Sequence, residues 1–124
     1  MKPGDASRLA DYLEHIVQAI DRIQTYIEDI DEAAFIQDCR TQNAVICNLE
    51  IIGKASNNIE KRYHDFADKH PEVPWVVAFE IRNVLTHGYF QVDLSIVWRT
   101  IEVDLPQLDG KIKALLILMP EKTQ

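Results

Sequence analysis

Residues 7–30, SRLADYLEHIVQAIDRIQTYIEDI, carry the pattern that decides the fold. Leucine and isoleucine return along this stretch at steps of three and four residues, which is the spacing of one face of an α-helix. Asp5 or Ser7 is expected to cap its start, because a short oxygen side chain accepts an unpaired backbone N–H there. The stretch therefore predicts a long helix with one buried face. The members of that face are Leu9, Leu13, Ile16, Ile20, Ile23, Ile27 and Ile30.

A second long helix is predicted over residues 40–62, after a link at 31–38 that Phe35 and Ile36 anchor. Gly53 lies inside this helix, where glycine costs about 1 kcal/mol relative to alanine. Such a cost suggests that a neighbouring helix backbone approaches closely at this position. The predicted buried face consists of Val45, Ile46, Leu49, Ile52, Ala55 or Ser56, and Ile59.

The second half of the chain predicts two more helices. The third runs over residues 75–87, because Gly88 suits the left-handed position just past a helix end. After a turn, Asp93 is expected to cap a fourth helix over 94–118, which Pro106 should kink.

Residues 63–74 read as a loop, since Asn57-Asn58 weakens the preceding helix and prolines disfavour helix in the residues before them. No segment shows a convincing alternation of apolar and polar residues typical of a β-strand, and the sequence contains no internal repeat. The sequence therefore predicts one domain over residues 1–124, an all-α, up-and-down four-helix bundle with an extra short helix or turn.

Composition narrows the class of protein. Apolar residues make up 47% and charged residues 27% of the 124 residues, as in soluble globular proteins. No apolar run is long enough for a membrane span or a secretory signal, and Cys39 and Cys47 are expected to stay reduced. We therefore expect a cytoplasmic protein. The net charge of −7 argues against a protein that coats nucleic acid, although residues 61–92 are neutral and leave room for brief RNA contacts.

Candidate chemistry concentrates in Arg82-Asn83-Val84-Leu85-Thr86-His87-Gly88-Tyr89. RNA can be cut without metal if one group moves protons at the 2′-hydroxyl and the leaving 5′-oxygen while a fixed cation steadies the phosphorane. His87 suits the proton transfers, and the planar guanidinium of Arg82 suits the cation role. Asn83 could hold the phosphate or the His87 ring, and Tyr89 offers a hydroxyl nearby.

Helix geometry constrains this hypothesis. On an ideal helix Arg82 and His87 lie about 140° apart, whereas Asn83 and His87 are separated by only about 40°. The side chains of Arg82 and His87 can converge if the helix unwinds at residues 86–88, or if two chains combine their residues across a two-fold axis. By spacing alone, a surface ion pair for Arg82 and a helix-end role for His87 explain the same residues without catalysis.

The run Pro74-Trp75, Ile81-Arg82-Asn83, His87-Gly88-Tyr89-Phe90, Val97-Trp98 and Asp104-Leu105-Pro106 resembles the HepT-like family of HEPN toxins. The family hallmark is an arginine, four residues, a histidine, one residue and a tyrosine, and it matches Arg82, His87 and Tyr89. The resemblance extends over about residues 9–110. One departure is Lys54, where the family favours glutamate, and this puts local helix or interface contacts in doubt.

This resemblance implies a homodimeric, metal-independent endoribonuclease of a type II/VII-like toxin–antitoxin pair, with no cofactor and no membrane. It also implies an MntA-type nucleotidyltransferase antitoxin that AMPylates Tyr89. An adenylyl group beside Arg82 would fill the site and offset its charge. The alternative is a non-catalytic HEPN binding module that associates with a nucleotidyltransferase partner or with nucleotide.

Other aromatic and histidine residues have two interpretations each. Trp75 and Trp98 could stack on bases, but their positions at a helix start and on a mainly apolar helix face favour packing in the core or in a dimer. Tyr63, His64 and His70 lie near two basic residues and could extend an RNA surface, or they could simply keep a loop soluble.

Overall fold

The computed structural model describes residues 3–86 and 92–119. These residues form helices and contain no strand. The helices are α1 (Pro3–Ile27), α2 (Glu32–Gln37), α3 (Cys39–Arg62), α4 (His64–Lys69), α5 (Trp75–Thr86), α6 (Leu94–Arg99) and α7 (Leu105–Leu118), with a π-helical segment at Thr100–Asp104 between the last two. The predicted all-α bundle is confirmed.

Helix α3 is central to the bundle. It packs against α1 on one side and α5 on another, and α1 also packs against α7. The predicted apolar faces form the core, because burying those faces is the main gain that holds amphipathic helices together. The first two long helices supply much of that core through Leu13, Ile16, Ile20, Leu49, Ile52 and Ile59, all fully buried.

Several boundaries differ from the sequence prediction. Helix α1 begins at Pro3, so neither Asp5 nor Ser7 stands at its start. The link over 31–38 contains α2, in which Phe35 is fully buried but Ile36 is 39% exposed, so only Phe35 anchors it. The predicted end of α5 at His87 and Gly88 lies outside the described residues.

The predicted loop over residues 63–74 contains the six-residue helix α4. Tyr63 and Val73, which flank this helix, are buried in the core, and the Trp75 indole donates a hydrogen bond to the His70 carbonyl at 2.9 Å. Tertiary packing thus holds a helix too short to be stable by itself.

The chain remains helical from Leu94 to Leu118, as predicted, but its hydrogen-bond register changes before Pro106. Proline lacks an N–H and its ring crowds the carbonyl four residues earlier. The backbone N–H of Leu105 bonds the carbonyl of Thr100, five residues back, which is the π-helical pattern. The disturbance expected at Pro106 therefore takes the form of one wide turn.

Asp93 caps α6, as predicted. One carboxylate oxygen accepts hydrogen bonds from the backbone N–H groups of Ser95 and Ile96, at 3.0 and 3.2 Å. Asp93→Ala is expected to lower the free energy of unfolding by about 1 kcal/mol, measured by urea denaturation. Asp93→Asn is the control, since asparagine caps equally well. Equal stability of the alanine variant and the unsubstituted protein would contradict the cap assignment.

Asp109 is a buried carboxylate between α7 and α1. One oxygen accepts a hydrogen bond from Lys113 at 2.9 Å, and Lys113 also reaches Asp21 at 3.1 Å. Burial raises the pKa of Asp109 above its ordinary 3.8, which the Lys113 bond only partly offsets. The hydrogen bonds to Asp109 and Asp21 raise the pKa of Lys113, because both carboxylates stabilise its charged form.

This burial predicts a pH dependence of stability. The folded carboxyl of Asp109 holds its proton more tightly than the unfolded chain does, so ionisation opposes folding as the pH rises from below 3.8 through the raised value. Asp109→Asn should therefore gain stability relative to the unsubstituted protein toward neutral pH. Urea denaturation across that range measures the difference, and a difference that shrinks or reverses as the pH rises would refute the prediction.

Two surface features concern the class of protein. Within residues 3–86 and 92–119, none of the helices has the length and apolar character needed to cross a membrane. Cys39 and Cys47 are both free and exposed.

Candidate active site

Arg82 lies on the face of α5 that packs against α3. Its side chain crosses α3 at Gly53, where a Cβ atom would come within 3.0 Å of the Arg82 Cγ. Any residue larger than glycine would therefore displace the arginine. The close approach predicted at Gly53 is confirmed, but an arginine side chain makes it and not a helix backbone.

Asn57, one turn after Gly53 on α3, holds the end of the same arginine. A terminal guanidinium nitrogen of Arg82 donates a hydrogen bond to the Asn57 side-chain oxygen at 3.2 Å. Gly53 and Asn57 stand four residues apart, so they lie on one face of the helix. Together they position the stem and one terminal nitrogen of the guanidinium.

The Arg82 site opens into a surface cavity of about 420 Å³ lined by Glu50, Lys54, Asn57, Arg82 and Leu85. Arg82 and Lys54 place two cations in the lining of one cavity, and the Glu50 carboxylate in the same lining partly balances them. The lysine that departs from the family pattern thus adds positive charge beside the predicted catalytic arginine. A phosphate is the kind of group that such a pair of cations binds.

Asn83 lies in a different place. It lines a groove of about 260 Å³ together with residues from α5, α6 and the π-helical segment, among them Ile96, Thr100 and Asp104. Successive residues of a helix point about 100° apart, which explains the separation. Within one chain, the described residues do not bring Arg82 and Asn83 into one cavity.

His87 and Tyr89 lie outside the described residues. Helix α5 is regular through Thr86, so His87 follows directly on the last described residue of that helix. How the imidazole and the guanidinium are placed relative to each other stays a prediction.

The aromatic candidates are packing residues. Trp75 and Trp98 are each only 8% exposed, and Trp98 lies against Phe35 with ring centroids 5.4 Å apart. Core packing, the favoured interpretation, is confirmed for both.

The histidine candidates separate from one another. The ring of His70 packs against that of Phe66, with the ring centroids 4.6 Å apart, and its Nδ1 lies 3.1 Å from a carboxylate oxygen of Glu72. The pKa of Glu72 is lowered mainly by a backbone hydrogen bond. His64 pairs with Asp68 at 3.3 Å on the exposed side of α4. In the described ranges, no three or more His, Cys, Asp or Glu side chains lie close enough to hold a metal ion.

The sequence pattern predicted a catalytic role for Arg82, which stays a prediction, and did not indicate Asn57 as its partner; Asn57 was interpreted only as weakening the end of α3. The signal available was the four-residue spacing between Gly53 and Asn57 on a helix that has no other interior glycine. That spacing does not reveal which element crosses the helix there, because α5 lies about 25 residues further along the chain.

Comparison with known proteins supplies a family. The model of a family described as "Ribonuclease HepT-like" matches residues 16–115. "Probable ribonuclease HepT" of Thermococcus cleftensis is 45% identical over 105 residues, which cover 85% of this chain and 93% of the relative. Proteins of Caldanaerobacter subterraneus and Methanocaldococcus jannaschii, both named as putative RNases, are 36% and 34% identical over 85% and 82% of the chain, and the match covers 91% of each relative. No solved structure matches.

Proposed function

Since the chain belongs to the ribonuclease HepT-like family, we propose that it is a metal-independent endoribonuclease that works through Arg82, His87 and Asn83. The observation that carries the proposal is the position of Arg82. Its stem lies on Gly53 and its guanidinium is held by Asn57, in a cavity that also contains Lys54. A cation oriented in advance is what stabilisation of a charged transition state requires.

The proposed reaction is transfer of the phosphodiester to the neighbouring 2′-oxygen. His87 takes the 2′-hydroxyl proton, the 2′-oxygen attacks phosphorus, and the bond from phosphorus to the 5′-oxygen breaks. A protonated imidazole gives a proton to that 5′-oxygen as it leaves. Arg82 neutralises the charge that develops on the non-bridging oxygens. The products are a 2′,3′-cyclic phosphate and a free 5′-hydroxyl.

We propose that the active unit is a homodimer. Arg82 and Asn83 open into separate cavities of one chain, and about 140° separate Arg82 from His87 on an ideal helix. A two-fold axis close to the ends of the two α5 helices would bring the His87 of each chain toward the Arg82 of its mate. Asn83, one turn before His87, is then placed to orient the imidazole.

The cleavage chemistry is tested with the purified protein, single-stranded RNA and excess EDTA. We expect cleavage to continue and to leave 2′,3′-cyclic phosphate and 5′-hydroxyl ends. A matched RNA with 2′-O-methyl groups is the control and should stay intact, because its 2′-oxygen carries no proton. Cleavage that stops in EDTA, or that continues in the methylated RNA, would contradict the mechanism. RNA binding without cleavage would favour the non-catalytic binding module.

We further propose that a nucleotidyltransferase antitoxin silences the enzyme by AMPylating Tyr89. The tyrosine oxygen attacks the α-phosphorus of ATP, its proton leaves, and pyrophosphate departs. The adenylyl phosphate would then compete with RNA for the Arg82 cation. Mass spectrometry after incubation with the antitoxin and ATP should show one added AMP group and lost cleavage. An equal mass increase in Tyr89→Phe, or full activity after modification, would overturn this.

A further inference from the structure

A second cavity, which we call the α3-end cleft, lies where α3 gives way to α4. It measures about 550 Å³ and is lined by Arg8 of α1, Lys61 and Arg62 of α3, and the segment Tyr63–Phe66. Three of these residues are fixed cations, and Asp65 is the one carboxylate in the lining. The α3-end cleft is therefore strongly basic in a protein whose net charge is −7.

The α3-end cleft continues the Arg82 site along one stripe of α3. At about 100° per residue, Lys54, Asn57 and Lys61 fall within roughly 60° of one another around the helix. Lys54 and Asn57 line the Arg82 cavity, and Lys61 lines the α3-end cleft. The axial distance from Gly53, where Arg82 crosses, to Lys61 is about 12 Å. The two cavities are thus neighbours along one face of α3.

The cations of this stripe are available to an outside anion. Lys54 and Lys61 are exposed, and in the described part of the chain neither forms an ion pair with a carboxylate. Elsewhere on the surface, Lys113 is engaged by both Asp21 and Asp109. Repelling cations gathered on one stripe of an acidic protein favour a polyanionic ligand.

We propose that the α3-end cleft is a subsite for single-stranded RNA, binding the phosphates that flank the linkage held at Arg82. This inference rests on the proposed ribonuclease function and assigns it a substrate class. Lys61 on α3 and Arg8 on α1 bind phosphates of the RNA backbone from two sides. The half-buried ring of Phe66 offers an edge against which an RNA base packs. Contacts with phosphates and with the face or edge of a base do not distinguish one base from another. The subsite therefore selects single-stranded RNA without regard to its base sequence.

The test is binding of a fluorescent oligouridylate of about 12 nucleotides, measured by anisotropy in a His87→Gln background so that no cleavage occurs. Arg8→Gln with Lys61→Gln should weaken binding about tenfold at low salt. The slope of log affinity against log salt should fall by about 1.4, because each phosphate contact on a single strand contributes about 0.7. A labelled dinucleotide, too short to reach from Arg82 to the α3-end cleft, should bind equally to both proteins.

Arg40→Gln with Arg99→Gln is the matched control, since it removes two exposed arginines and changes the net charge equally. It should leave affinity and slope unchanged. Equal losses in both pairs would show a general charge effect, and no loss in the cleft pair would overturn the subsite. Loss of nucleotidyltransferase binding alone would assign the α3-end cleft to that protein and also overturn it. Failure of the parent protein to cleave RNA would instead count against the ribonuclease, and the binding result would still decide the subsite.

Discussion

Arg82→Lys is expected to lower kcat for RNA cleavage at least about a hundredfold, the size of effect seen when one preorganised donor to a transition state is removed. Lysine keeps the charge but is a single point donor, whereas the guanidinium presents a rigid plane of N–H groups. The hydrogen bond from Arg82 to Asn57 favours one direction of this plane. An ammonium group on a flexible stem loses that direction and one of its two supports.

Stability should not explain the loss. Arg82 is exposed, and exposed substitutions away from caps and cores change the free energy of unfolding by about 0.5 kcal/mol or less. Arg40→Lys is the matched control, because Arg40 is an exposed arginine near the opposite end of α3, about 25 Å from Asn57 along the axis. If Arg82→Lys cleaves RNA at the rate of the Arg40→Lys control, Arg82 is not the group that steadies the phosphorane.

The sequence was informative about the fold wherever burial is periodic. The long helices α1 and α3 were predicted because each turns an unbroken apolar face to the core. The predicted members of the two faces are buried except Ile27, Ile30 and Ile46, which are only half-buried. Helix α4 was missed because six residues offer too few turns for a period to appear. Its position depends on burial of Tyr63 and Val73, which is a tertiary effect.

For the candidate site, the sequence indicated only features that depend on spacing along one helix. Arg82 and Asn83 are adjacent in sequence, so their shared role seemed natural, yet a rotation of about 100° sends them to different cavities. Gly53 indicated a close contact because glycine is unfavourable inside a helix. Its partner could not be inferred, since the packing of α5 on α3 is set by the whole core.

Gly53→Ala is expected to separate activity from stability. Alanine at this helical position gains about 1 kcal/mol in helix propensity over glycine, and the exposed arginine can move outward without disturbing the core. The new Cβ, however, would lie 3.0 Å from the Arg82 Cγ, so the stem must shift by a few tenths of an ångström and the guanidinium swings away from Asn57. A misplacement of about 1 Å in a catalytic group can reduce the rate by about a hundredfold, so this smaller shift is expected to cost about tenfold. We therefore expect kcat to fall while the free energy of unfolding holds or rises.

Gly110→Ala supplies the matched control, because Gly110 is also inside a helix and its added Cβ would meet nothing within 4 Å. It should share the gain in stability and keep full cleavage activity, so the two variants differ only in what the new methyl group touches. Urea denaturation and single-turnover cleavage on the same preparations measure both quantities. If Gly53→Ala cleaves RNA as fast as Gly110→Ala, α3 does not position the arginine. If both lose activity together, the loss comes from a general stiffening of the bundle.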